Sequence, residues 1–128
     1  MSDIPFIAIV DDDDAVRTST RRLISSAGFR AGAFASAEDF LQSSQLQDTA
    51  CVIVDLRMPR MSGLELQQLL TTVNSPVPLI FITAHGDEET RAQAMRAGAV
   101  NFLDKPFGDE VLLKAVQAAL QCAGGASR

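Results

Sequence analysis

The 128-residue sequence predicts a doubly wound α/β domain of five parallel strands and five helices. Three observations lead there. Short β-rich runs alternate with amphipathic stretches along the whole chain. The strongest runs are apolar throughout rather than alternating, as in central parallel strands covered on both faces. Right-handed crossovers between parallel strands then put helices on both sides of the sheet. The length suits one ordinary domain with a full core, and 47% hydrophobic residues mark the chain as globular.

Residues 4–10 read as the first strand, almost entirely apolar. From Asp14 the pattern turns helical: Val16, Leu23, Ile24 and Ala27 share a face, and Gly28 is a natural stop. A weaker strand follows at 30–34, and Ser36 N-caps a short helix carrying Phe40 and Leu41. Residues 50–55 form the third strand and 58–63 a loop. Leu66, Leu69, Leu70 and Val73 mark the inner face of a third helix, which the segment 74–78 breaks. The fourth strand spans 77–83. The helix at 88–97 has a thin apolar face of Ala92, Ala94, Met95 and Ala97, so packing holds it weakly, and Gly98 ends it. Residues 100–104 form the fifth strand. Val111, Leu112, Ala115, Val116, Ala119 and Leu120 make the core stripe of the last helix. The domain is read as 1–123, with 124–128 a frayed tail or the start of a linker to an output domain.

Composition excludes several function classes. No apolar stretch approaches the roughly 20 residues of a membrane span, and no signal peptide is evident, so a cytoplasmic location is the default. A net charge of −5 argues against nonspecific nucleic-acid binding by this chain. Two cysteines make no disulfide framework. Cys51 lies inside an apolar run and reads as a small buried residue, and Cys122 is assigned no role.

The chemistry concentrates at strand ends. Asp11 and Asp12 follow Phe6-Ile7-Ala8-Ile9-Val10, Asp55 follows Cys51-Val52-Ile53-Val54, Thr83 follows Leu79-Ile80-Phe81-Ile82, and Lys105 follows Phe102-Leu103-Asp104. In neighbouring parallel strands these ends share one edge of the sheet, where open α/β folds bind ligands. Clustered carboxylates repel one another and call for a hard cation, and a nearby lysine and hydroxyl can hold an anion. The set reads as a magnesium-assisted phosphoryl site.

Val10-Asp11-Asp12-Asp13, Asp55-Leu56-Arg57-Met58-Pro59, Ser62-Gly63, Thr83-Ala84, Ala97-Gly98-Ala99 and Lys105-Pro106-Phe107 together resemble the receiver domain of bacterial two-component response regulators. Within that family the likeness is to the FixJ-type (LuxR/FixJ class) regulators. The resemblance implies a flavodoxin-like (βα)5 sandwich with strand order 2-1-3-4-5, an order that comes from the family and not from the residue pattern. It also implies that Asp55 is the phosphoryl acceptor, a carboxylate able to attack phosphorus and form an acyl phosphate. Asp11 and Asp12 resemble the family's metal-binding pair, with Mg2+ held by Asp12, Asp55 and the backbone carbonyl of Arg57, and Asp11 acting partly through water. Lys105 pairs with phosphoryl oxygens as a compact charge, and Thr83 hydrogen-bonds the same group. Thr83 and Phe102 form the switch, the ring turning inward as Thr83 moves toward phosphate. A cis bond before Pro106 is typical of the family. Asp13 and Asp14 read as helix caps. His85 reads as a loop histidine or as a side chain tuning water access. The implied partners are a sensor histidine kinase and a second copy of the chain, pairing through the helix at 88–97 and the fifth strand.

Two other classes fit less of the pattern. Phosphatases of the haloacid dehalogenase type carry Asp-x-Asp after the first strand, whereas the nucleophile here follows the third. A receiver-like binding module that is never phosphorylated has no need of the full acidic set and Lys105.

Overall fold

Proline sets where two of the strands begin. Pro5 and Pro78 lack an N–H, so each can accept but not donate across the sheet. Their carbonyls accept the N–H groups of Arg30 and Val52, both at 3.0 Å, and regular pairing starts one residue later. The computed structural model describes residues 4–56, 58, 60–72, 77–84, 88–105 and 107–126. Its strands are β1 (Phe6–Val10), β2 (Arg30–Phe34), β3 (Thr49–Asp55), β4 (Leu79–Thr83) and β5 (Asn101–Asp104). They form a parallel sheet in the order β2-β1-β3-β4-β5. The first and fourth strands are therefore shorter than their apolar runs, and Ile4 is 47% exposed.

The helices are α1 (Asp14–Ser26), α2 (Ala37–Gln42), α3 (Gly63–Thr72), α4 (Glu88–Arg96) and α5 (Asp109–Ala126), with one 3-10 turn at Leu46–Asp48 that no sequence signal marked. Gly28 and Gly98 follow α1 and α4 at φ 100° and 107°, the left-handed conformation that suits a glycine stop. Ser36 caps α2 by accepting the Asp39 N–H at 3.0 Å. Backbone pairing in α5 continues through Gly124 and Gly125 to Ala126, past the point where the sequence suggests fraying.

Side-chain alternation splits the core into two layers. Phe6, Ala8, Val10, Val52, Val54, Phe81 and Phe102 pack with Phe40, Leu66, Leu70 and Ala94, from α2, α3 and α4. Ile7, Ile9, Cys51, Ile53, Ile80, Ile82 and Leu103 pack with Ile24 of α1 and Leu112, Ala115, Val116 and Ala119 of α5. Two expected core positions fall elsewhere. Ala27 and Val111 are exposed because they sit at the C-terminal cap of α1 and in the first turn of α5, beyond the covering layer. Val73 lies outside the described residues. In α4 only Ala94 is buried, and Met95 is 42% exposed, which bears out the thin apolar face.

Candidate functional site at the carboxyl edge of the sheet

Strand register brings the predicted residues together. Val10 pairs with Val54, which sets Asp11 beside Asp55. Asp55 pairs with Ile82, and Thr83 with Asp104. The hydrogen-bond ladder runs one residue past the strand ends. Asp11 N–H donates to the Phe34 carbonyl (3.1 Å), Leu56 N–H to Ile82 (2.9 Å) and Lys105 N–H to Thr83 (2.7 Å). Alternation assigns Asp11, Asp55 and Lys105 to the α1/α5 side, with Ile9, Ile53 and Leu103. Thr83 has the parity of Phe81 and Phe102, on the other side.

Asp11 is fully buried and engaged at every polar atom. Its Oδ1 accepts the Asp13 N–H at 2.8 Å, its Oδ2 accepts Lys105 Nζ at 3.0 Å, and its carbonyl accepts Arg17 Nη1 at 2.8 Å. Lys105 Nζ also donates to Asp55 Oδ2 at 3.3 Å. Burial works hardest on this ammonium and favours its neutral form. The hydrogen bond and charge of Asp11, with the charge and hydrogen bond of Asp55, outweigh it and hold the pKa above its ordinary 10.5. Lys105 is thus charged at neutral pH. Because its folded pKa is raised, its share of stability is complete below the unfolded value and is lost only as pH climbs through the folded one. Burial alone pushes the Cys51 thiol up to about 12, which leaves it inert in the core.

Asp12 is exposed, and oxygens of Asp11, Asp12 and Asp55 lie within 4.8 Å of one another. Opposite ligands of an octahedral magnesium ion stand about 4.2 Å apart, so the carboxylates fit such an ion with small side-chain adjustments. The donor set is all oxygen, as a hard cation requires. Asp13 is the N-cap of α1, accepting the N–H groups of Ala15 (2.9 Å) and Val16 (3.2 Å). Asp14 is not a cap: it lies in the first turn and pairs with Arg17 at 2.8 Å.

The return loop after Asp55 is held by a capping box at α3. Ser62 N–H donates to Glu65 Oε1 at 2.9 Å, and Glu65 N–H donates to Ser62 Oγ at 3.2 Å. Within that loop Arg60 adopts φ 67°, an uncommon conformation for a side-chain-bearing residue. Gly63 N–H donates to the Leu56 carbonyl, and a Cβ on Gly63 would stand 2.8 Å from the Asp55 carbonyl oxygen and 2.9 Å from the Phe81 ring. Only glycine lets α3 start this close to the aspartate.

Thr83 is buried at the end of β4, and Phe102 is 3% exposed, its ring 6.3 Å from that of Phe81. The Arg91 guanidinium of α4 lies 5.0 Å from the centre of the Phe102 ring and 3.5 Å from Asp104. In the fold Arg91 is engaged within its own chain. Arg57, His85 and Pro106 lie outside the described residues, and with them the carbonyl ligand and the cis bond. Arg17 and Gln67 were missed. Arg17 lay on the polar side of α1 with no strand-end position to flag it. Gln67, 4% exposed, reaches the Ala94 carbonyl of α4 at 3.4 Å, a partner 27 residues away.

Buried carboxylates and a charged lysine thus share the carboxyl edge of a doubly wound parallel sheet. The chain belongs to the response regulator receiver domain family, whose profile matches residues 7–117. It is 44% identical over 115 residues to nodulation protein W of Bradyrhizobium diazoefficiens, covering 90% of this chain and 51% of that protein. It is 38% identical over 122 residues to the transcriptional regulatory protein FixJ of the same species, covering 95% and 60%. The crystal structure of FixJ-N superposes with a TM-score of 0.82 at 40% identity, covering 94% of this chain and 96% of that one. The chain spans about half the length of nodulation protein W and three-fifths that of FixJ. Among the described residues no helix is long and apolar enough to cross a membrane.

Proposed function

We propose that this chain takes a phosphoryl group from a sensor histidine kinase onto Asp55 and passes the change to an output that controls transcription. The observation that carries the reading is the Asp55 carboxylate itself. It is 7% exposed, lies at a strand end 3.3 Å from a charged lysine and shares an acidic group with Asp11 and Asp12. An Asp55 oxygen attacks phosphorus, a P–O bond forms, and the P–N bond to the donor imidazole breaks with its electron pair going to nitrogen. Lys105 Nζ, already beside Asp55, neutralises oxygens of the incoming group. Asp11, Asp12, Asp55 and the Arg57 carbonyl would hold Mg2+, which supplies charge neutralisation at the transferring group. A cytoplasmic setting and a domain boundary near residue 123 accompany this reading.

Thr83 and Phe102 share one side of the sheet and connect the site to α4 and β5, which we assign as the switch. That surface pairs with a second copy. The pairing has to reckon with Arg91, whose contacts to Asp104 and Phe102 must loosen or be shared. Incubation with acetyl phosphate and magnesium is expected to add one phosphoryl mass, labile to hydroxylamine, and Asp55→Asn to abolish it. Beryllofluoride is expected to raise the light-scattering mass toward a dimer. Phosphorylation of Asp55→Asn at the parent rate removes the assignment.

A further inference from the structure

We infer that Arg17 is a positioning residue for the acidic pocket, because it grips the peptide that joins two of its carboxylates. The inference rests on the receiver reading of that pocket. The Asp11 carbonyl belongs to the planar Asp11–Asp12 peptide, so fixing its oxygen fixes the plane from which both side chains depart. Arg17 Nη1 donates to that oxygen at 2.8 Å, while Nη2 of the same guanidinium pairs with Asp14 Oδ1 at 2.8 Å. One rigid fork thus spans both sides of the strand-to-helix turn, a job that suits the fixed donor geometry of arginine.

The two contacts differ in weight. Asp14 is 89% exposed, and an exposed i,i+3 ion pair contributes little by itself. The Arg17 side chain is 18% exposed, and its carbonyl contact is part-buried. Asp11 needs the help least, since its N–H, Oδ1 and Oδ2 are all engaged. Asp12 needs it most. It is exposed, and the peptide that Arg17 holds sets where its carboxylate points. The outer contact to Asp14 acts as a tether that keeps the guanidinium aimed.

A simple charge argument predicts the opposite sign, which makes the inference testable. A guanidinium beside an acidic pocket repels a divalent cation, so its removal should strengthen Mg2+ binding if charge were all that mattered. Positioning predicts weaker binding. The experiment is calorimetric titration of the whole chain with Mg2+ for the parent, Arg17→Met, Arg17→Lys and Asp14→Asn, with thermal unfolding in chelator recording the fold. Arg17→Met is expected to lose about 10-fold in Mg2+ affinity, the low end for groups that orient a metal ligand. Arg17→Lys keeps the charge but reaches only one anchor, and is expected to lose affinity too. Asp14→Asn is expected to lose less than either. Mg2+ binding by Arg17→Met at or above parental affinity overturns the inference. If Arg17→Met does not fold, unchanged affinity in Arg17→Lys overturns it instead. No saturable Mg2+ binding by the parent refutes the receiver reading of the pocket, and the inference with it.

Discussion

At the residue scale the pocket trades stability for chemistry. Asp11 and Asp55 are already buried beside one lysine, and Asp12 adds a third negative charge within 4.8 Å. Two like charges about 5 Å apart in a watery setting repel by roughly 1 kcal/mol. Asp12→Asn is therefore expected to stabilise the metal-free chain by about that amount, seen as a higher midpoint in denaturant. It is also expected to erase most of the extra stability that Mg2+ gives the parent. A lower midpoint in chelator would show that Asp12 has a favourable partner instead. Sequence alone exposed the pocket's members well, since each ends an apolar run. It could not expose their supports. Arg91 and Gln67 act through partners fixed only by folding, and of the two Arg17 contacts only the i,i+3 pair with Asp14 has a spacing that the sequence displays. Asp14 shows the reverse: its place beside a helix start suggested a cap, but Asp13, one residue earlier, has the extended backbone a cap needs.

At the element scale the site depends on how closely α3 approaches the end of β3. The Gly63 position leaves no room for a methyl group against the Asp55 carbonyl and the Phe81 ring. Gly63→Ala is expected to destabilise the fold by about 1–3 kcal/mol, as overpacking does, and to slow phosphorylation by displacing Asp55. Urea unfolding and the acetyl phosphate rate measure the two effects, and a variant with parental values in both would remove the crowding argument. Strand positions were readable because apolar runs are strong signals, and β2 matches its expected bounds of 30–34. The remaining edges moved for local reasons. Proline delayed the start of β1 and β4, and α5 begins two residues ahead of Val111, at Asp109. The 3-10 turn at Leu46–Asp48 stayed hidden because so short a piece carries no periodicity.

At the scale of the whole molecule, the doubly wound architecture was legible from the alternation of runs, and the strand order was legible only through family likeness. The ladder that overshoots the strand ends has a consequence for how the molecule breathes. Asp11, Leu56 and Lys105 stand outside regular strands, yet their amides donate to neighbouring strands. Amide hydrogens there should exchange with solvent as slowly as those of the sheet, in one cooperative opening unit. In α4, with Ala94 its one buried residue, exchange should be faster by orders of magnitude. Native-state hydrogen exchange read residue by residue would reveal that order, and comparable rates in the two regions would contradict it. The chain would then keep two clocks, a slow one for the amides that fix the acidic pocket and a fast one for the α4 surface.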